Sequence, residues 1–126
     1  NKNKNPNAAD DITTTLEDYG RFLVAVLDGK GLSNEFFSAM VNHQVKIKEN
    51  KYFGLGWEIF DLGRTEYALS HGGADEGVRT QVFLLPKTRE GIIMFTNVDD
   101  GYKVYEKLMR DYLKERGAKI IEIEFK

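Results

Sequence analysis

The 126-residue sequence has no cysteine and only two prolines. Disulfides and thiolate metal sites are therefore excluded, although the compartment stays open because large secreted domains often manage without cystine bridges. An excess of one charge is also lacking: 18 basic and 20 acidic side chains leave a net charge of -2. No global field favours a polyphosphate backbone, so a nucleic-acid partner is not expected. No stretch approaches the roughly 20 apolar residues needed to cross a bilayer. The polar start, Asn1 to Asn7, has no apolar run of the kind a signal peptide needs, so any targeting segment is expected outside these residues. What remains is enough for one compact core: 41% of residues are hydrophobic and 12% aromatic, in a length suited to one domain or part of one.

Two hydrophobic periods alternate along the chain. Thr14 and Glu17 have capping-box spacing, and Leu16, Tyr19, Phe22, Leu23, Val26 and Leu27 follow at helical intervals, which predicts a helix from about Leu16 to Asp28. Gly29 and Gly31 break it. Leu32 and Phe37 then flank a Ser33 cap and open a second, shorter helix with Phe36, Met40 and Val41 on one face. From Tyr52 the period becomes two: Phe53, Leu55, Trp57 and Ile59 share one face of a predicted strand, while Gly54 and Gly56 leave the other bare for close packing. Further strands are predicted at Glu66 to His71, Val78 to Leu85 and Gly91 to Asn97, the last two joined as a hairpin. Tyr102 to Arg116 returns to helical spacing, with Gly117 placed to end it and Lys114 and Arg116 suited to its negative end. The tail alternates Ile121, Ile123 and Phe125 with Glu122 and Glu124, which predicts a terminal strand.

Consecutive strands without intervening helices pair antiparallel, and amphipathic helices need that sheet to cover their apolar stripes. The predicted architecture is α+β: an antiparallel sheet of four or five strands covered by helices.

Most polar features have plain readings. His43, in a polar stretch, reads as solvated; Asp99 and Asp100 read as a loop and helix cap rather than a cation site; Lys46, Lys48 and Lys51 read as a solvated loop; Phe53 and Trp57 read as core. No spacing of histidines and carboxylates suggests a metal, and no cofactor is expected. By themselves, Gly72 and Gly73 read as a loop between strands.

Taken together, several segments carry more information. The run Tyr52-Phe53-Gly54-Leu55-Gly56-Trp57, then His71-Gly72-Gly73 with Gly77 four residues on, then Leu85-Pro86 and Thr96-Asn97, resembles the C-terminal half of the serine β-lactamase-like family. That family includes class C β-lactamases, D,D-peptidases and related esterases. Thr13 to Tyr19 is similar to its helix-opening stretch upstream of those strands, and the likeness runs from about Ala8 to Leu113.

The resemblance implies a serine on an S-x-x-K helix that attacks a carbonyl, a Y-x-N or S-D-N element that assists proton transfer, and a K-T-G-like strand as one wall. His71, Gly72 and Gly73 match that strand, Ala74 takes the place of the oxyanion N-H donor, and Gly77 is assigned to the substrate-binding turn. His71 stands where lysine is more familiar, and Gly72 where a threonine hydroxyl helps hold a lactam carboxylate. These departures point away from efficient lactam hydrolysis, toward an ester, short peptide or D-amino-acid amide, with His71 in an acid-base or electrostatic role. Neither S-x-x-K nor Y-x-N nor S-D-N occurs. The resemblance therefore implies a partial domain, inactive alone, whose parent acts on a small-molecule or peptide substrate in the periplasm or cell envelope. Self-association through surface left by truncation is also expected. The alternatives are a non-catalytic relative that binds peptidoglycan or other small ligands, and an α+β interaction module.

Overall fold

The computed structural model describes Asn5, Asn7 and residues 12–126. Its centre is one six-stranded sheet, antiparallel throughout, with strands in chain order: β1 (Val45–Lys48), β2 (Lys51–Phe53), β3 (Glu58–Gly63), β4 (Glu66–Asp75), β5 (Val78–Leu85) and β6 (Glu90–Thr96). Helices α1 (Leu16–Leu27) and α2 (Asn34–Val41) precede the sheet; a 3₁₀ turn (Asp99–Val104) and helix α3 (Tyr105–Phe125) follow it.

The two faces of the sheet carry separate cores. On one, Ile59, Leu69, Val82 and Leu84 pack with Trp57 and with Leu23 of α1, and Met40 and Val41 of α2 join them. On the other, Phe60, Leu62, Ala68, Phe83, Leu85 and Met94 meet Met109, Leu113, Ile120, Ile121 and Ile123 of α3. Period-two alternation explains the division, because neighbouring residues of one strand face opposite layers.

Helix α1 starts where periodicity places it, but with a different cap. Thr15, not Thr14, is the N-cap, and its hydroxyl accepts the Asp18 N-H at 3.1 Å. Glu17 instead pairs with Arg21 at 2.6 Å. Ser33 caps α2 as predicted, accepting the Phe36 N-H at 3.3 Å.

The single strand predicted from Tyr52 to Ile59 is two strands. Gly56, at φ +82°, turns the chain between β2 and β3, which then pair Tyr52 with Ile59. Gly54 does meet a close neighbour: a Cβ there would strike the Met40 carbonyl at the end of α2. The lysine cluster is a β-hairpin rather than a solvated loop, since β1 and β2 pair across Asn50 at φ 59°. Lys51 is buried between Glu58 (3.0 Å) and Glu124 (2.6 Å).

The predicted terminal strand is a helix. α3 breaks at Lys114 (φ 55°, ψ -128°), which closes its first arm two residues before the predicted end at Arg116, and it resumes as a second arm that contains Gly117, so Gly117 does not end the helix. A Cβ at Gly117 would collide with the Met109 carbonyl, so glycine lets the second arm fold back against the first. Packing on the α3-side core, together with the Lys51–Glu124 pair, overrides the alternating pattern of the tail.

Candidate active site

Strand β4 serves two neighbours unequally. It pairs with β3 from Glu66 to Ser70, which lies opposite Glu58, the first residue of β3, and with β5 from Leu69 to Asp75. From His71 to Asp75 its outer edge therefore has no strand partner among the described residues. The β4–β5 hairpin closes through Glu76-Gly77, with Gly77 at φ +72°. In such a two-residue hairpin the closing pair exchanges its backbone hydrogen bonds, and the pairs beyond it alternate. Asp75 and Gly73 thus turn their main chain toward β5, while Gly72 and Ala74 turn theirs toward the open edge. One contact supports this phase: the carbonyl of Arg79, opposite Ala74, accepts the Thr96 hydroxyl of β6 at 2.9 Å and so faces away from β4.

A cleft of about 620 Å³ lies along this edge, lined by His71, Gly72, Gly73 and Ala74. The structure brings these four predicted site residues together. Gly77 does not line the cleft; its N-H donates to Asp99 Oδ1 at 3.0 Å, which ties the hairpin tip to the 3₁₀ turn. Asp99 also pairs with Arg79 at 3.3 Å, so it works as a tether and not as the helix cap predicted.

His71 is exposed on the layer of α1, in a T-shaped ring contact with the buried Trp57 (centroids 6.0 Å, 73°). Trp57 is core, as predicted. Phe53 is not: it is 45% exposed and lines the cleft. On the α3 layer, Ser70 is fully buried and its Oγ accepts from Gln81 Nε2 at 2.6 Å. A Cβ on Gly72 would collide with that Gln81 amide, and one on Gly73 would lie 2.9 Å from the Thr80 hydroxyl. A side chain at either glycine would thus first displace a cross-strand neighbour of the chain itself.

Sequence reasoning missed Glu58, Arg79, Gln81, Tyr102 and Tyr105, all of which line the cleft. A signal was available for Arg79, Thr80 and Gln81: three polar residues in succession inside a strand that continues as Val-Phe-Leu-Leu. Beside Glu58, burial opposes the charge on Lys51, but its contacts with Glu124 and Glu58 outweigh that effect and raise its pKa above the ordinary lysine value. Among the described residues no cluster of histidine and carboxylate side chains is arranged to hold a metal, and no helix is long and apolar enough to cross a membrane.

A family model described as Beta-lactamase matches residues 1–114. The fold is similar to that of a solved penicillin binding protein from Bacillus halodurans, with a TM-score of 0.67 at 20% identity over 79% of this chain. The chain spans 31% of that protein's length. No curated protein sequence matches.

Proposed function

Because the chain belongs to the β-lactamase family, we propose that it forms the C-terminal part of a serine hydrolase domain and supplies the His71-Gly72-Gly73 wall of the active site. In this reading the attacking hydroxyl and its lysine lie on polypeptide outside these 126 residues, and the chain alone is inactive. One observation carries the proposal: a strand edge left unpaired beside His71, with the Ala74 main chain directed into a cleft.

The chemistry follows from that edge. A carbonyl attacked by serine becomes a tetrahedral oxyanion, and a fixed N-H stabilises the new charge without reorganisation. Ala74 supplies such a donor. The His71 imidazole, exposed at the same edge, has two ring nitrogens of which one can donate and the other accept a hydrogen bond, which a lysine ammonium cannot do. Hydrolysis of the acyl-enzyme then needs water, which the open cleft admits. An ester, D-amino-acid peptide or amide fits the site better than a β-lactam, because Gly72 offers no hydroxyl to a lactam carboxylate. Family analogy also favours the periplasm or cell envelope as its place of action.

A serine-directed fluorophosphonate tests the reading. Longer polypeptide carrying both this strand and an S-x-x-K helix is expected to label, and His71→Ala to slow labelling by roughly a hundredfold, the scale of losing one acid-base group. The isolated chain is expected to stay unlabelled. Its labelling would overturn the proposed division of roles.

A further inference from the structure

The cleft along β4 does not end at the sheet. Glu58, Gln81, Tyr102 and Tyr105 line it and also line a second cavity, of about 430 Å³, between the sheet and α3. Phe60, Phe83, Met109, Ile120, Ile121 and Phe125 give that cavity an apolar wall, and Lys103, Glu106 and Glu124 line it as well. Charge at the junction is compensated, because the Glu58 carboxylate pairs with Lys51 at 3.0 Å. The Gln81 amide is tied back onto β4 through its bond to Ser70. Tyr105, common to both spaces, has a hydroxyl shielded from solvent and without a hydrogen-bond partner among the described residues. Buried polar atoms are nearly always satisfied, so this one marks a place where a ligand's polar atom is favoured. The apolar wall suits a flexible hydrocarbon, with the polar residues left to face its polar end.

We infer that the two cavities form one binding site, with the reacting carbonyl at the β4 edge and a hydrocarbon chain of the same substrate running past Gln81 into the space under α3. The inference rests on the hydrolase reading for the reacting end and adds the substrate class, an ester or amide bearing an apolar chain.

The chain without its nucleophile turns nothing over, so binding of carboxylate products can be measured directly. Acetate, butyrate, hexanoate and octanoate, each below its micelle concentration, are titrated into the isotope-labelled chain while NMR follows the Gly72 and Ala74 amides and the Met109 methyl. Affinity is expected to rise about fourfold per added methylene, the worth of one buried CH₂. The amides and the methyl should titrate with one midpoint. Met109→Trp, which fills the inner cavity, should abolish the gain with length and leave the amide response to butyrate. Should that variant not fold, the wild-type series alone decides.

Affinity independent of chain length would overturn the inference, as would separate midpoints at the two ends. Either result leaves the hydrolase reading standing, since phosphonate labelling tests that separately. Failure of labelling beside a coherent length series would remove the hydrolase reading and keep the hydrocarbon site.

Discussion

Thr65 and Lys114 hold backbone conformations that their side chains disfavour. Arg64 and Thr65 sit at φ 54° and 63° between β3 and β4, in the two central positions of a hairpin where Asn-Gly is the usual solution. Thr65 is β-branched, so its strain is the larger. Thr65→Gly is expected to stabilise the chain by about 1 kcal/mol, read as a higher urea midpoint with an unchanged slope. Lys114, at φ 55° and ψ -128°, occupies a region that glycine enters freely, and Lys114→Gly should give a gain of about 1–2 kcal/mol. If either substitution lowers the midpoint, the left-handed geometry at that position is wrong. At Ser70 the expectation has the opposite sign. Gln81→Ala removes the donor that satisfies a fully buried hydroxyl and should cost about 1–2 kcal/mol.

Among the elements, α3 depends most on a distant partner. Lys51 reaches from β2 to Glu124 in its second arm, and Lys48 donates to the Glu124 carbonyl. Lys51→Met leaves Glu58 and Glu124 unpaired beside the core. Because Glu124 is 42% exposed, the expected cost is about 2 kcal/mol, below the 3–5 kcal/mol typical of a broken buried pair. Faster hydrogen exchange of amides 120–125 would locate that loss in the second arm. The pair also has a defined pH window. Lys51 has a raised pKa in the folded chain, so its contribution is complete below the unfolded value of about 10.4 and fades as pH rises through the folded one. Unfolding followed between neutral pH and strong alkali should show that decline, and the Lys51→Met variant should not share it. This pair also explains which elements were legible in the sequence. Helices α1 and α2, strands β5 and β6 and the first part of β4 follow local periodicity and caps, so they could be read directly, whereas Gly72 and Gly73, which by themselves read as a loop, lie inside β4 because β5 pairs with them as far as Asp75. The β1–β2 hairpin and the second arm of α3 could not, because Lys51 looks solvated until Glu58 and Glu124 approach it from 7 and 73 residues away. The cleft divided in the same manner. The His71-Gly72-Gly73-Ala74 segment stands together in sequence, whereas Glu58, Gln81 and Tyr105 become neighbours only through strand register and the docking of α3.

At the scale of the whole molecule, β1 and β6 are the outer strands of an open sheet, and Val45 and Phe95 on them are 60% and 38% exposed. Edges without a strand partner among the described residues, carrying apolar side chains, invite further pairing. Light scattering after size-exclusion chromatography is expected to show a mass that grows with protein concentration, and a constant monomer mass would exclude association through these edges. The half-paired β4 has a different consequence. A ligand lying along its open edge meets amide groups that belong to the polypeptide itself, so the donor at position 74 survives nearly any replacement of the side chain there. Proline alone among the standard residues lacks that donor. Ala74→Pro is thus the replacement there that would take the donor away from the cleft.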